Sequence, residues 1–128
     1  MATDPRRRHG EIGERIAEEH LAHRGYRIVA RNFRTRYGEL DIIAADDRAL
    51  VFCEVKTRLA GTRNGPAGPL DAIGPRKRER LRRMATQWLA ESEGADRPRR
   101  SELRFDAIGV ILSPAGQLLA LDHVENAF

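Results

Sequence analysis

The stretch Gly38–Arg58, GELDIIAADDRALVFCEVKTR, decides the fold. Two apolar runs, centred on Ile42-Ile43 and on Val51-Phe52, flank Asp46, Asp47 and Arg48. That is the pattern of neighbouring β-strands joined by a short turn. Side chains alternate across a strand. Leu50, Phe52, Glu54 and Lys56 therefore share one face of the later strand, and Val51, Cys53, Val55 and Thr57 the other. On the earlier strand Glu39, Asp41, Ile43 and Ala45 share a face. Two strands of core character thus carry carboxylates and a lysine.

Register decides whether those groups meet. A two-residue turn at Asp47-Arg48 sets Asp41 opposite Glu54, Ile43 opposite Phe52 and Ala45 opposite Leu50. Any even loop keeps Asp41 and Glu54 on one face; an odd loop separates them, because a one-residue slip flips a strand. Asp-Arg is not an ideal tight-turn pair, but the apolar pairings support the even register. Directly opposed carboxylates repel. Two readings follow. In one the acids seat a divalent cation, since Mg²⁺ takes oxygen ligands from one or two carboxylates. In the other they end a salt-bridged strand, with Lys56 pairing Glu54 or Asp41.

Working outward, residues 1–9 read as a disordered basic tail and residues 10–128 as one domain. From Gly10 to about Arg24 the pattern is helical, with Ile12, Ile16, Ala17 and Leu21 on one side and Gly25 as the stop. YRIVARNF reads as a first strand, preceding the two already described. After them comes a Gly- and Pro-rich loop with Gly61, Gly65 and Gly68, a candidate flap over substrate. A second helix spans about Arg76 to Ser92, with Leu81, Met84, Ala85, Trp88 and Leu89 at helical spacing, which assigns Trp88 to the core. LRFDAIGVIL and QLLALDHV complete the pattern as a strong strand and an edge strand. The order is α-β-β-β-α-β-β: an α/β fold with a central mixed sheet flanked by helices.

Composition narrows the function classes. The chain has 128 residues, 23 Lys and Arg against 19 Asp and Glu, a net charge of +4 and a pI near 10.0. That balance suits a polyanionic partner without proving one. Only Lys56 and Lys77 are lysines. Cys53 is the one cysteine, so neither an intrachain disulfide nor a cysteine-based zinc cluster can form. No apolar run approaches the roughly 20 residues of a membrane span, and no export signal stands at the start; the expectation is a cytoplasmic protein.

The first helix offers a third carboxylate. Glu14 falls at the rim of its apolar face; Glu11 would serve if the helix were rotated, while Glu18 and Glu19 point toward solvent. The second helix carries Arg76, Lys77, Arg78, Arg80, Arg82 and Arg83 against Glu79, a face for phosphates or simply a solvated one. His20 and His23 form a possible i, i+3 metal pair that lacks a third ligand. Asp106 reads as buried and paired with a base such as Arg104 or Lys77.

Gly13-Glu14, RNFR, GELDIIA, EVKTR, RFDAIGV and the ending HVENAF together resemble the YraN family of bacterial proteins, from about Gly10 to Phe128. That family belongs to the restriction-endonuclease-like, PD-(D/E)XK nuclease superfamily, and its layout is similar to the archaeal Holliday-junction resolvases. The resemblance implies a metal-dependent nuclease acting on DNA, branched or otherwise structured forms included. Glu14, Asp41, Glu54 and Lys56 would be its catalytic residues. Mg²⁺ or Mn²⁺ would be held by Asp41 and Glu54, with Glu14 and the Val55 carbonyl completing the shell, and Lys56 would hold water or phosphate. Arg58, Arg76, Lys77, Arg78 and Arg80 are the candidate DNA contacts. The proline of the superfamily motif is replaced by Leu40. The resolvase likeness implies a homodimer. The competing expectation is a non-catalytic nucleic-acid-binding or adaptor protein that keeps the fold; a third is a small structural partner whose acids pair with arginines.

Overall fold

The computed structural model describes residues 5–61, 74–92 and 102–127. Two helices, α1 (Pro5–His23) and α2 (Pro75–Glu91), flank five strands: β1 (Arg27–Thr35), β2 (Gly38–Ala45), β3 (Ala49–Leu59), β4 (Glu102–Leu112) and β5 (Leu118–Val124). The strands lie in chain order in one sheet, antiparallel except for β3 beside β4. A parallel pair needs a crossover connection, and α2 stands in the one between β3 and β4. The expected α-β-β-β-α-β-β order and mixed sheet are what the chain adopts.

Alternation sorts the core. Ile42, Ala44, Val51, Cys53, Ile108 and Val110 face α1, packing with Ala17 and Leu21. Ile43, Ala45, Leu50 and Phe52 face α2, packing with Leu81, Met84, Ala85 and Trp88. Trp88 meets Phe52 edge to face, with centroids 5.9 Å apart, and Cys53 is fully buried, as their apolar settings indicated. The β2–β3 turn closes as expected. Asp46 Oδ1 accepts from the amides of Arg48 and Ala49, at 2.9 and 2.8 Å, supplying the turn chemistry that Asp-Arg lacks. The ladder then runs Ala45↔Leu50, Ala44↔Val51, Ile43↔Phe52, Ile42↔Cys53.

One boundary differs. The helix begins at Pro5, so residues 5–9, expected in a disordered tail, are helical. Proline is favourable in the first turn of a helix, and Arg7 sits 3.7 Å from Glu11 one turn on. The candidate flap lies, apart from its first residues up to Gly61, outside the described residues.

α1 crosses β3 at very short range. A methyl group on Gly13 would overlap the Thr57 hydroxyl and come within 2.9 Å of its Cβ. Only glycine permits this approach, and the approach sets how far Glu14 reaches over the sheet. Gly13→Ala should therefore destabilise the fold by about 2 kcal/mol: overpacking typically costs about 1–3, and alanine's helix preference returns at most about 1. Adding Thr57→Gly should recover part of the loss in chemical denaturation. An unchanged midpoint for Gly13→Ala would show that the helix can stand off freely.

A candidate metal and nucleic-acid site

The regular alternation of β2 fails at Asp41. Leu40 and Ile42 are both even-numbered, yet Leu40 packs with the α2-side core and Ile42 with the α1-side core. β1 carries the matching irregularity. Arg31↔Ile42 and Phe33↔Leu40 bracket Asn32, which falls against Asp41 and has φ 48°. Asparagine is one of the few side chains that tolerates the left-handed region. This local break lets groups from both faces of the sheet gather around Asp41.

The break seats the Asp41 carboxylate against β3. Its Oδ2 accepts from the Val55 amide at 2.8 Å, one step past the last β2–β3 pair. Glu14 arrives from α1, and Glu39 from two residues earlier on β2. Oxygen atoms of Glu14, Glu39 and Asp41 all lie within 4.8 Å of one another, the one such acidic set of three among the described residues. With its amide nitrogen turned toward them, Asn32 donates to Glu14 Oε1 and Glu39 Oε1 at 2.7 Å each; the opposite orientation would aim an oxygen at two carboxylates. Glu18 stands outside this set. It pairs with Arg31 at 2.6 Å, fastening α1 to β1 beside Asn32.

Glu54 faces two lysines, one of them the Lys56 of the salt-bridged reading. It is buried, and its Oε1 lies 2.8 Å from Lys77 Nζ of α2 and 3.6 Å from Lys56 Nζ. Lys77, expected to contact DNA, is thus engaged with an acid of the site. Glu39, which strand alternation placed beside Asp41 without a role, takes the third place in the cluster. Glu39, Glu54, Lys77 and Arg80 line one cleft of about 190 Å³ with Tyr37, so the set opens toward α2.

Crowding sets the electrostatics. Burial, then the Glu54, Glu14 and Glu39 charges, push the Asp41 carboxyl up to about 8. Burial and the neighbouring Glu39 raise Glu14 as well. Burial lowers Lys56, and the adjacent Lys77 ammonium adds to the effect. Burial works against the Lys77 charge too, but the bond to Glu54 outweighs it and raises its pKa. Carboxylates at such separations strain to ionise together. An all-oxygen donor set of this kind matches Mg²⁺ or Mn²⁺ rather than a softer metal.

The sequence profile of the Uncharacterised protein family UPF0102 matches residues 13–110. The chain belongs to the UPF0102 family. This is the YraN family that the motifs resemble. A UPF0102 protein of Frankia alni is 45% identical over 119 residues, covering 93% of this chain and 92% of its own. One from Mycobacterium tuberculosis (strain ATCC 25177 / H37Ra) is 44% identical over 121 residues, covering 91% and 89%. One from Mycobacterium avium (strain 104) is 52% identical over 103 residues, covering 79% and 75%. The UPF0102 name carries no activity, so the chemistry rests on the geometry. No helix among the described residues is long and apolar enough to cross a membrane.

A second polar cluster lies on the α1 side. Asp106 is fully buried and accepts from Arg104 Nε and Nη2 at 2.9 Å, from the Asn126 amide at 3.0 Å, and from His123 Nε2 at 2.8 Å. Arg104 was one of the two bases expected for it. His20 is not paired with His23 as a metal couple; its Nε2 meets His123 Nδ1 at 2.9 Å. With His123 Nε2–H committed to Asp106, Nδ1 is the acceptor and His20 the donor. The chain distance of that partner hid it from any local spacing rule.

Proposed function

We propose that this protein is a metal-dependent nuclease that hydrolyses phosphodiester bonds of DNA, structured or branched forms included. The observation that carries the reading is the meeting of Glu14, Glu39 and Asp41 oxygens within 4.8 Å, with Glu54 and Lys56 on the adjoining strand. Glu14, Glu39 and Asp41 would hold Mg²⁺ or Mn²⁺, and Glu54 would join them on exchanging its lysine partner. When bound, such an ion polarises a phosphoryl oxygen and makes water more acidic. The Val55 amide fixes the orientation of Asp41. Lys56, held 3.6 Å from Glu54 and depressed in pKa, is the amine that would orient water or neutralise the scissile phosphate. Arg58, half-buried beyond it on β3, with Arg76, Arg78 and Arg80 on α2, would bind flanking phosphates.

The test is cleavage of linear, nicked and branched DNA in Mg²⁺ or Mn²⁺. Asp41→Ala and Glu54→Ala proteins that remain folded should lose at least about 100-fold in rate, the scale expected when a positioned electrostatic group is removed. Full activity in both would end the reading. The Lys77–Glu54 contact of 2.8 Å favours a second one: a nucleic-acid-binding protein whose site is closed by its own lysine. Salt-sensitive DNA binding with no cutting in either metal would select it.

A further inference from the structure

Beyond the acidic cleft, the surface of α2 continues into a second groove. It has a volume of about 850 Å³, at the upper part of the roughly 300–1,000 Å³ typical of ligand pockets. Arg36 and Tyr37 from the β1–β2 turn form one wall; Arg82, Arg83 and Gln87 of α2 form the other. Arg80 and Arg83 join it to the cleft through a smaller pocket that also includes Arg76. Among the described residues, the only acid lining these two outer pockets is Glu79, which holds Arg83 at 2.9 Å.

What holds the arginines is unusual. Arg36 Nη2 donates to the Tyr37 hydroxyl at 2.7 Å, and the Arg36 and Arg83 guanidinium carbons stand 4.9 and 5.6 Å from the Tyr37 ring centre. A neutral phenol can orient two guanidinium groups through a hydrogen bond and ring contacts, yet it does not cancel their charge as a carboxylate would. Among the described residues Arg36 is thus preordered without a carboxylate partner, and Arg83 is ion-paired only to Glu79, in an exposed i,i+4 contact of the weak kind. Both guanidinium groups are left suited to phosphate oxygens. Lys77, at the acidic cluster, and Arg83 are six residues apart on α2, about 9 Å along the axis. At about 3.4 Å of rise per nucleotide, that is roughly two to three nucleotides.

We propose that the groove between Tyr37 and α2 is a second phosphodiester-binding site. There Arg36 and Arg83 grip the backbone of the strand that enters or leaves the acidic cluster, two to three nucleotides away. This rests on the nuclease reading, and it adds the β1–β2 turn to a surface otherwise made by α2. A labelled single-stranded oligonucleotide and a labelled duplex, titrated in EDTA from about 50 to 200 mM salt, test it without any dependence on cleavage.

Arg36→Ala with Arg83→Ala should weaken binding at least about 10-fold and reduce the salt slope by about 2, one for each phosphate no longer neutralised. Tyr37→Phe, which removes the hydroxyl but no charge, should weaken binding about 3-fold with little change in slope, in keeping with the modest net contribution of one hydrogen bond. The charge-matched control, Arg15→Ala with Arg27→Ala, alters two exposed arginines outside the groove. An effect of the control equal to that of the groove variant would mean bulk charge alone and overturn the inference. So would unchanged binding in the groove variant while Arg76→Ala with Arg80→Ala weakens it, a result that leaves the nuclease reading intact. Failure of the wild-type protein to bind either oligonucleotide would remove the nuclease reading itself.

Discussion

Asp106→Ala should destabilise the fold by about 3–5 kcal/mol, the usual cost of removing one member of a buried ion pair. The reason lies in who is left behind. Arg104, whose side chain is 11% exposed, would be deprived of both carboxylate oxygens and keep a charge with little water to receive it. The Asn126 amide and His123 Nε2 would be without their acceptor as well. Asp106→Asn should be milder. Its oxygen can still accept from Arg104, while its NH₂ can face His123 if the ring moves its proton to Nδ1. His20 must then accept rather than donate. Long-range nitrogen–proton NMR would show His123 protonated at Nε2 in the wild type and at Nδ1 in Asp106→Asn. Equal losses of stability for the two variants, or no change of tautomer, would refute this account.

The same network has a pH signature. Burial works against the Asp106 charge, but the bonds from His123, Arg104 and the Asn126 amide prevail and hold its pKa below the ordinary carboxylate range. A depressed pKa contributes stability above the unfolded value, near 4, that is lost as pH falls through the folded one. His20 is lowered by burial and by His123, Arg24 and His23, so protonating it also disfavours the fold. Acid unfolding should accordingly begin at this cluster, seen as early loss of amide protection in β5.

The architecture was legible because its signals are local. The apolar runs, the glycine after α1 and the helical spacing of Leu81, Met84 and Trp88 each need only a few neighbouring residues. Register was legible for a related reason: matching Ile43 to Phe52 and Ala45 to Leu50 leaves a continuous apolar face. The site was legible only in part. Strict alternation places Glu39 and Asp41 together but gives no reason to bring Glu14 across from the other face. That depends on the break at Asp41 and on Asn32 opposite it. The polar asparagine within YRIVARNF was the available signal, since such a residue in a strand often marks a departure from regular geometry. The Lys77–Glu54 and His20–His123 contacts left no trace, because each joins elements far apart in the chain.

In EDTA, raising the pH from about 5 to 9 should lower the melting temperature by on the order of 10 °C, opposite in direction to the acid effect at Asp106. Asp41 sets the sign. Its folded pKa is about 8, far above its value in an unfolded chain. Between those values the unfolded state gives up a proton that the folded state keeps, so rising pH favours unfolding. Glu14, also raised, adds to the slope. Asp41→Asn removes the group that resists ionisation and should flatten the decline, making the metal-free variant more stable than wild type at pH 8. A divalent cation reverses the logic, because its charge favours the ionised acids. Mg²⁺ or Mn²⁺ should therefore restore the wild type at pH 8, have little effect at pH 5, and do little for Asp41→Asn. Binding near neutral pH should release about one proton, measurable by calorimetry in buffers of different ionisation heat. A flat melting profile in EDTA, or equal metal stabilisation of wild type and Asp41→Asn, would mean that the carboxylates do not share charge as their separation requires.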